Sequence, residues 1–340
     1  TQGFQFGSAI LQFDATGDKS FLEIGREGTL QYMASHVSHV GVHDHGFNNL
    51  STYGNLRRLM NEGRIPVDPW EKHFCELALK VSGAVQAARW TDLGSDQGFI
   101  FSFNGPHSLF ADTIRSLRSL SAAHQLGHVL MGEKDGKISF LHRLIRHAQC
   151  TALYNVYFGK GRDAYDVPGR VAHESIFNIR DGSYRCASSQ QGYSPFTTWT
   201  RGHAWILCGY AEQLEFFEVL TDEELKPYGG KGALLAFFEE VAVTVANFYI
   251  EQASSDGLIY WDTGAPGLAR MGDYRNRLSQ PDNDFEPVDS SAASIAAQGL
   301  LRLGQYLQSR QDEATGTRYC QAALTIAKHL FAEPYLSESP

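Results

Sequence analysis

Apolar residues recur every three to four positions along most of this chain, which is the spacing of amphipathic helices. Two such segments stand at each end, at residues 4–13 and 21–33 and again at 300–307 and 319–330. Each pair flanks an Ala-Thr-Gly sequence, at 15–17 or at 314–316, where we expect a turn. The repetition predicts helical hairpins as the unit of the fold.

Seven longer helices, the last of which includes the segment 300–307, and two short strands are also predicted. The helices span 47–60, 70–88, 110–131, 138–157, 199–220, 233–253 and 290–308, and the strands span 98–103 and 258–261. Short connections at 16–17, 132–137 and 315–316 alternate with chemically rich loops at 42–47, 96–106, 169–195 and 256–289. Alternate connections of packed hairpins lie at one end, so the rich loops are expected together. We predict an all-α closed toroid in one domain, with an open solenoid as the alternative.

Composition and charge exclude several classes of partner. The 340 residues are 43% hydrophobic, as in a globular protein, and carry a net charge of −9 without a Lys/Arg block. Nucleic acid and anionic membrane surfaces are therefore not expected as partners. Five scattered cysteines without a Cys-x-x-Cys pair indicate neither a disulfide framework nor a zinc site. No apolar run is expected to reach the length of a membrane span.

The stretch 190–205 runs from a turn-rich loop into a helix, where Thr198 or Thr200 is expected to cap the helix. Arg201 and Trp205 are four residues apart and so share one face of the first turn. A guanidinium binds a carboxylate through paired hydrogen bonds, and an aromatic wall suits a sugar ring. An acidic sugar is the predicted ligand. The alternative is that Trp205 belongs to the core and Arg201 clamps a loop.

Two aspartates precede predicted helices. Asp44 lies in the sequence His43-Asp44-His45-Gly46, in which Gly46 would let the backbone approach a ligand closely. Asp112 begins a later helix, and the two aspartates could face each other across the cleft of the toroid. Two close carboxylates keep one of them protonated, as acid catalysis requires. Capping of the helices is the alternative role, and a metal is disfavoured because adjacent residues cannot easily share one ion.

Other polar residues lie in the rich loops. His173 stands in the longest of them, where surface exposure or packing is the alternative role. Gln191 supplies a donor and an acceptor for sugar hydroxyls. Asp289 or Ser290 is predicted to cap the Ala-rich helix that follows, which is mainly a structural role. No Gly-x-Ser-x-Gly elbow and no phosphate-binding loop occurs. We predict neither a metal nor a cofactor.

Six motifs match a known pattern in chain order. They are TQGFQFG at 1–7, HDHGF at 43–47, QGYS at 191–194, TWTRGHAW at 198–205, YWD at 260–262 and DSSAASIAA at 289–297. They resemble W-T-x-G-F-x-x-G, H-D-L-G-F, H-Q-G-Y-S, W-A-R-G-Q-A-W, P-Y-W-D and D-S-S-A-A-A-I-A-A of glycoside hydrolase family 88, the unsaturated glucuronyl hydrolases. The resemblance covers nearly the whole chain.

This resemblance implies an (α/α)6 barrel that removes a terminal 4,5-unsaturated uronic acid from lyase-generated oligosaccharides. The reaction it implies is hydration of the C4=C5 enol ether, without a metal. Asp112 would protonate C4 and then deprotonate the attacking water, while Asp44 would tune Asp112 and hold a ring hydroxyl. The implied substrate-binding residues are His43, Phe103, His173, Gln191, Arg201 and Trp205.

The chain also departs from the family pattern. His203 replaces a Gln, Gln190 replaces a His, Phe103 stands where a stacking Trp is usual, and 116–118 read Ser-Leu-Arg instead of Asn-Leu-Pro. The first family helix would precede residue 1, so we expect it to be missing from the single domain 1–340.

These departures keep alternative functions open. One is an unsaturated galacturonyl or rhamnogalacturonyl hydrolase, another an (α/α) polysaccharide lyase, and a third a non-catalytic carbohydrate-binding toroid. The sequence favours neither a cytoplasmic nor a periplasmic or secreted location.

Overall fold

The structure, a computed structural model, describes residues 2–336. Thr1, with which the first motif begins, and the last four residues of the predicted domain 1–340 lie outside the described residues. Within the described part the chain packs into two compact units. Unit 1 comprises residues 2–108 and 115–147, and unit 2 comprises 109–114 and 148–336. The single domain of 1–340 stays a prediction.

The secondary structure is mainly helical. The α-helices are α1 Gln2–Thr16, α2 Lys19–Tyr32, α3 Ala34–Val37, α4 His45–Asn49, α5 Asn55–Asn61, α6 Pro69–Ala88, α7 Leu117–Gln125, α8 Phe140–Tyr154, α9 Thr200–Glu218, α10 Asp222–Leu225, α11 Lys231–Gln252, α12 Ser290–Ser309 and α13 Glu313–Leu330. A π-helical turn, Leu50–Gly54, joins α4 to α5 without a break. Short 3-10 helices span Ala111–Ser116, Glu133–Asp135, Lys226–Tyr228, Pro266–Arg270 and Tyr274–Asn276.

The strands are short and form three small sheets. They are β1 Trp90–Gly94, β2 Gln97–Ile100, β3 Ser108–Phe110, β4 Leu130–Met131, β5 Lys137–Ile138, β6 Glu174–Phe177 and β7 Tyr184–Ser188. Strands β1 and β2 form one hairpin, β4 and β5 form another, and the third sheet has the order β3-β6-β7.

Most predicted helices are confirmed. Those at 4–13, 21–33, 70–88, 138–157, 199–220, 233–253 and 290–308 correspond to α1, α2, α6, α8, α9, α11 and α12. The helix predicted at 47–60 is the continuous run from α4 through the π-helical turn to α5. The predicted turn after α1 is confirmed, since Gly17 has a φ of 75° and Asp18 caps α2 by accepting from the N–H of Ser20.

Three predictions of secondary structure are wrong. Residues 314–316 do not form a turn but lie in the first turns of α13; the chain reverses just before, where Gln311 has a φ of 71°. The segment 110–131 is not one helix, because a strand and a 3-10 helix precede α7. Residues 258–261 form only an isolated bridge, between Tyr260 and Val288.

Unit 1 has a core between α1, α2, α5 and α6. Its buried members include Phe6, Ile10, Tyr53, Leu56 and Leu79. Spacings of three and four between such positions place them on one face of each helix, which is the pattern that the sequence showed. The core positions the start of α4, where His43 and Asp44 lie.

Unit 2 packs α9 against both α11 and α12, and α12 against α13. Tyr210 and Phe217 of α9 contact Phe238 of α11, with ring centroids 5.2 Å and 4.8 Å apart. Burial of such aromatic rings dominates the stability of the packing. The N-terminal end of α9, which carries Arg201, is thereby fixed in place.

One described helix, α11, is long and apolar enough to cross a membrane by length and composition, with a mean hydropathy of 1.5 over its most apolar window. The expectation that no apolar run reaches the length of a membrane span is therefore wrong for α11. Half of that window is buried inside the protein, where α11 packs on α9, as in the core helix of a globular unit. The absence of a membrane partner stays a prediction.

Candidate active site

Asp44 is held by an arginine in unit 1. It occupies the N-cap position of α4, yet its side chain makes no capping hydrogen bond. Instead its Oδ1 accepts a hydrogen bond from Nη2 of Arg115, and the Arg115 guanidinium also lies 4.5 Å from the ring centroid of Phe47. The alternative role of Asp44 as a helix cap is therefore wrong. The ion pair orients the carboxylate and leaves it about one-fifth exposed.

Gly46 serves packing within unit 1. A Cβ atom at this position would stand 1.8 Å from the carbonyl oxygen of Arg115. No side chain fits there, so glycine is required for α4 to approach the backbone that carries Arg115. The sequence predicted a close approach at Gly46, and the structure shows one. The group that approaches is the backbone at Arg115.

His43 and Phe103 form a stacked pair beside Asp44. Their ring centroids are 5.5 Å apart and nearly parallel, His43 is fully buried, and Phe103 is about half exposed. The backbone carbonyl of His43 accepts a hydrogen bond from Ser116 Oγ. His43 Nε2 is 3.8 Å from Asp44 Oδ1. Three of the predicted site residues, His43, Asp44 and Phe103, are thus brought together in unit 1.

Asp112 and His173 form a second group, in unit 2. Asp112 is the second residue of the 3-10 helix Ala111–Ser116 and is only 2% exposed, so bulk water is largely excluded from its carboxyl group. Its Oδ1 is 3.7 Å from Nε2 of His173. The N–H of Ala111 donates to the carbonyl of His173 at 2.8 Å, which fixes the two backbones side by side. His173 is buried, so its alternative role as an exposed loop residue is wrong.

The backbone fixes the tautomer of His173. Its Nδ1 is an acceptor for the N–H groups of Gln190, at 3.1 Å, and Gln191, at 3.3 Å. A nitrogen that accepts two N–H groups carries no hydrogen, so the hydrogen of the neutral ring is on Nε2, which faces Asp112. Gln191 therefore contributes through its backbone, while its side chain lies exposed.

The loop 189–197 is anchored at its centre by Asp262. The Asp262 carboxylate is fully buried and accepts hydrogen bonds from the N–H of Tyr193 and, on its own loop, of Gly264. Burial raises the pKa of Asp262. A Cβ at Gly192 would stand 3.0 Å from Asp262 Oδ2, so the small residue lets the two loops close on each other. Asp262 therefore fixes the loop that orients His173.

Arg201 is paired with Asp289. The guanidinium Nη2 lies 2.9 Å from Asp289 Oδ2, and Nε donates to both carboxylate oxygens. Asp289 Oδ1 also accepts from the N–H of Ala292, which confirms its predicted role as the cap of α12. Asp289 was expected to have a mainly structural role, but it also orients Arg201. The two prongs expected to bind a ligand are already in use, and Nη1 makes no hydrogen bond within residues 2–336.

Two tryptophans line the start of α9. Trp199 lies in edge contact with His173, with centroids 4.8 Å apart, and the Arg201 guanidinium is 5.6 Å from the Trp199 centroid. Trp199 therefore connects Arg201 to the His173 group, a role that sequence reasoning missed. The predicted Trp205 lies one helical turn after Arg201 and is half-buried.

Neither threonine caps α9, contrary to expectation. Trp199 occupies the N-cap position without a side-chain hydrogen bond. Thr198 Oγ1 accepts from the N–H of Val171, and Thr200 Oγ1 donates to the carbonyl of Tyr260. These hydroxyls join loops of unit 2 to the start of α9.

His203, in the second turn of α9, is buried. Its Nε2 lies 3.2 Å from the carbonyl of Gly169, and its ring packs against Phe248. Burial lowers the pKa of His203 to about 3, which keeps the ring neutral. Within residues 2–336, no group of three His, Cys, Asp or Glu side chains has the arrangement of a metal site.

Comparison with known proteins finds similarity to one class of enzyme. No family model matches the chain. The chain is 25% identical over 339 residues to the unsaturated glucuronyl hydrolase of Bacillus sp. (strain GL1), covering 97% of this chain and 73% of that protein. It is 22% identical over 338 residues to the unsaturated glucuronyl hydrolase of Formosa agariphila, covering 99% of this chain and 69% of that protein.

Solved structures show the same likeness. The crystal structure of an unsaturated glucuronyl hydrolase specific for heparin superposes with a TM-score of 0.72 at 21% identity, over 99% of this chain and 74% of that chain. The chain thus resembles unsaturated glucuronyl hydrolases over nearly its whole length. The shared fold confirms the predicted all-α class, that of the (α/α)6 barrel.

Proposed function

We propose that this protein is an unsaturated uronyl hydrolase. Its substrate would be an oligosaccharide with a 4,5-unsaturated uronic acid at the non-reducing end, the product of a polysaccharide lyase. The observation that carries this proposal is the likeness to two enzymes named unsaturated glucuronyl hydrolase over 97% and 99% of the chain. The motifs around Asp44, Arg201 and Asp289 fall within that aligned length.

The proposed chemistry is addition of water to an enol ether. A proton is added at C4 and a water oxygen at C5, which gives a hemiketal. Collapse of the hemiketal breaks the bond between C5 and the ring oxygen, which opens the ring and leaves a hemiacetal at C1. Breakdown of this hemiacetal to the aldehyde then releases the rest of the saccharide, so the anomeric carbon is not attacked. One carboxyl group can serve both steps, first as the acid and then as the base that takes the proton of the water.

We assign that carboxyl group to Asp112. It is almost completely buried, so the carboxyl group is shielded from bulk water. His173 presents Nε2–H towards it, 3.7 Å away, and this nitrogen makes no hydrogen bond within residues 2–336. His173 is therefore available to donate to a ring oxygen or to the substrate carboxylate. Asp44, oriented by Arg115, is assigned to a sugar hydroxyl.

Recognition of the substrate carboxylate is assigned to Arg201. Its Nη1 is the donor that the pair with Asp289 leaves for a ligand, and its side chain is 42% exposed. Trp205, Phe103 and His43 are proposed as the aromatic surfaces against the sugar rings. The exposed Gln191 side chain supplies a hydrogen bond to a hydroxyl.

The test is the loss of enol-ether absorbance when the purified protein is mixed with unsaturated disaccharides. Turnover of glucuronyl and galacturonyl substrates, measured separately, distinguishes the proposed hydrolase from its galacturonyl counterpart. A lyase would instead create the absorbance from an intact polysaccharide. A protein that binds these saccharides without clearing the signal would refute the proposed function.

A further inference from the structure

Two aromatic rings are exposed on unit 2 and stack on each other. Tyr165 and Phe196 have ring centroids 4.4 Å apart at 25°, and the residues are 48% and 49% exposed. Each ring covers one face of the other, and about half of each residue remains exposed. Exposed apolar rings are costly to keep in water and mark binding surfaces when they are contiguous. We call this pair the aromatic platform.

The platform is held from below by a buried arginine. Arg170, only 4% exposed, donates from Nε to the carbonyl of Tyr165 at 2.7 Å and from Nη1 to the carbonyl of Pro195 at 3.1 Å. Its guanidinium lies 3.6 Å from the ring centroid of Tyr157. Arg170 therefore joins the two loops that carry the platform. These hydrogen bonds fix the backbone at Tyr165 and next to Phe196.

The same loop also reaches the proposed catalytic group. The N–H of Gln191 binds His173, and the N–H of Tyr193 binds Asp262, three residues before Phe196. Gln191 and Phe196 are five residues apart, so their Cα atoms are separated by at most about 18 Å. The platform thus lies within the reach of a short oligosaccharide that is held at His173.

We propose that the aromatic platform of Tyr165 and Phe196 is a binding subsite for a pyranose ring of the released part of the substrate, beyond the sugar next to the unsaturated uronic acid. This inference rests on the proposed function. A pyranose ring has an apolar face of C–H groups, and a flat aromatic face with open solvent on one side matches it. The structure assigns the exposed ring of Phe196 as the residue that determines the preference for longer substrates.

The experiment compares an unsaturated tetrasaccharide with the disaccharide of the same series. Phe196→Leu keeps apolar volume but removes the flat ring, and we expect the KM for the tetrasaccharide to rise roughly three- to tenfold with kcat unchanged. Phe196→Trp should restore the KM of the wild type. The KM for the disaccharide should change little in either variant. Phe331→Ala, a control at a residue that is 75% exposed elsewhere on unit 2, should leave all values unchanged.

An unchanged tetrasaccharide KM in Phe196→Leu, or an equal rise for the disaccharide, would overturn the subsite. Failure of the proposed function has a different signature, since the wild type would then turn over neither substrate. In that case, calorimetric titration with the saturated tetrasaccharide measures binding without turnover and tests the subsite independently of catalysis. Weaker binding to Phe196→Leu than to wild type and Phe331→Ala supports it, and equal binding refutes it.

Discussion

The position of Arg201, the proposed recognition residue, depends on its ion-pair partner Asp289. Asp289 is only 2% exposed in its side chain, and it holds both Nε and Nη2 of the guanidinium. Asp289 thus occupies both Nε and Nη2, so a substrate carboxylate would be bound by the remaining nitrogen, Nη1, rather than by a pair of nitrogens. A lysine could not serve Asp289 and a ligand with the same geometry, because its single ammonium has no planar fork.

Replacement of Arg201 by lysine should therefore weaken substrate binding while the charge is retained. We expect the KM for an unsaturated disaccharide to rise roughly ten- to a hundredfold, the value of one charge-assisted hydrogen bond, with a smaller effect on kcat. Steady-state kinetics measure this. Asp289→Asn is the matched variant, since asparagine still caps α12; it should raise KM by less. A KM in Arg201→Lys equal to that of the wild type would show that the guanidinium does not bind the carboxylate.

The tautomer of His173 leads to a second prediction at the scale of single atoms. Two backbone N–H groups on Nδ1 leave Nε2 as the only ring nitrogen with a hydrogen. Glutamine at this position retains an N–H donor and glycine does not. We expect His173→Gln to keep more of the wild-type kcat than His173→Gly, by roughly tenfold or more. Equal losses in both variants would indicate that His173 only fills space.

At the level of elements, the run from α4 through the π-helical turn to α5 positions Asp44. Gly46 follows Asp44 by two residues and packs against the Arg115 carbonyl. This contact sets the distance between the start of α4 and the Arg115 backbone. The same contact places the Arg115 guanidinium on Asp44. Backbone packing, rather than a cap, thus determines where this carboxylate points.

Substitution of Gly46 by alanine should disturb both stability and activity. A Cβ atom 1.8 Å from a backbone oxygen cannot be accommodated by a side-chain movement, so we expect a loss of about 1–3 kcal/mol or more in the free energy of unfolding. Denaturant titration measures this loss. Gly54→Ala is the control in the same helical run, since the nearest atom is the end of the flexible Leu50 side chain at 3.0 Å. Equal stability of the two variants would contradict the packing argument.

The sequence predicted elements better than their detailed roles. Long amphipathic patterns such as 233–253 identified helices, because periodicity reflects which face is buried. The single helix predicted around Asp112 was wrong. The hydrogen bond between Ala111 and the backbone of His173 is a long-range contact, which favours a strand and a 3-10 helix over a continuous α-helix. Likewise, no local pattern reveals that Arg115 pairs with Asp44 or Asp289 with Arg201.

For the whole molecule, three buried histidines link stability to pH. Burial lowers the pKa of His45 to about 4, and that of His147 and His203 to about 3 in each case. The pKa of an unfolded histidine is about 6.5, so the unfolded chain binds protons that the folded protein does not. Stability is therefore greatest above pH 6.5 and is lost as the pH falls from there towards the folded-state values.

We expect the free energy of unfolding to fall by about 2 kcal/mol per histidine between pH 7.5 and pH 5, or about 6 kcal/mol for the three. Urea titrations at several pH values measure this dependence. His203→Gln removes one of the titrating groups while the side-chain N–H can still serve the Gly169 carbonyl. The variant should therefore lose about 2 kcal/mol less than the wild type over this interval. An identical pH dependence would show that His203 is not held neutral.

The central claim is that Asp112 supplies the proton that adds to C4 of the unsaturated ring. The most direct measurement is the initial rate of loss of enol-ether absorbance for the wild type and for Asp112→Asn, with circular dichroism to verify that both proteins are folded. The account predicts that the wild type clears the signal and that kcat in the variant falls by roughly a hundred- to ten-thousandfold. A folded Asp112→Asn protein that clears the signal as fast as the wild type would contradict it.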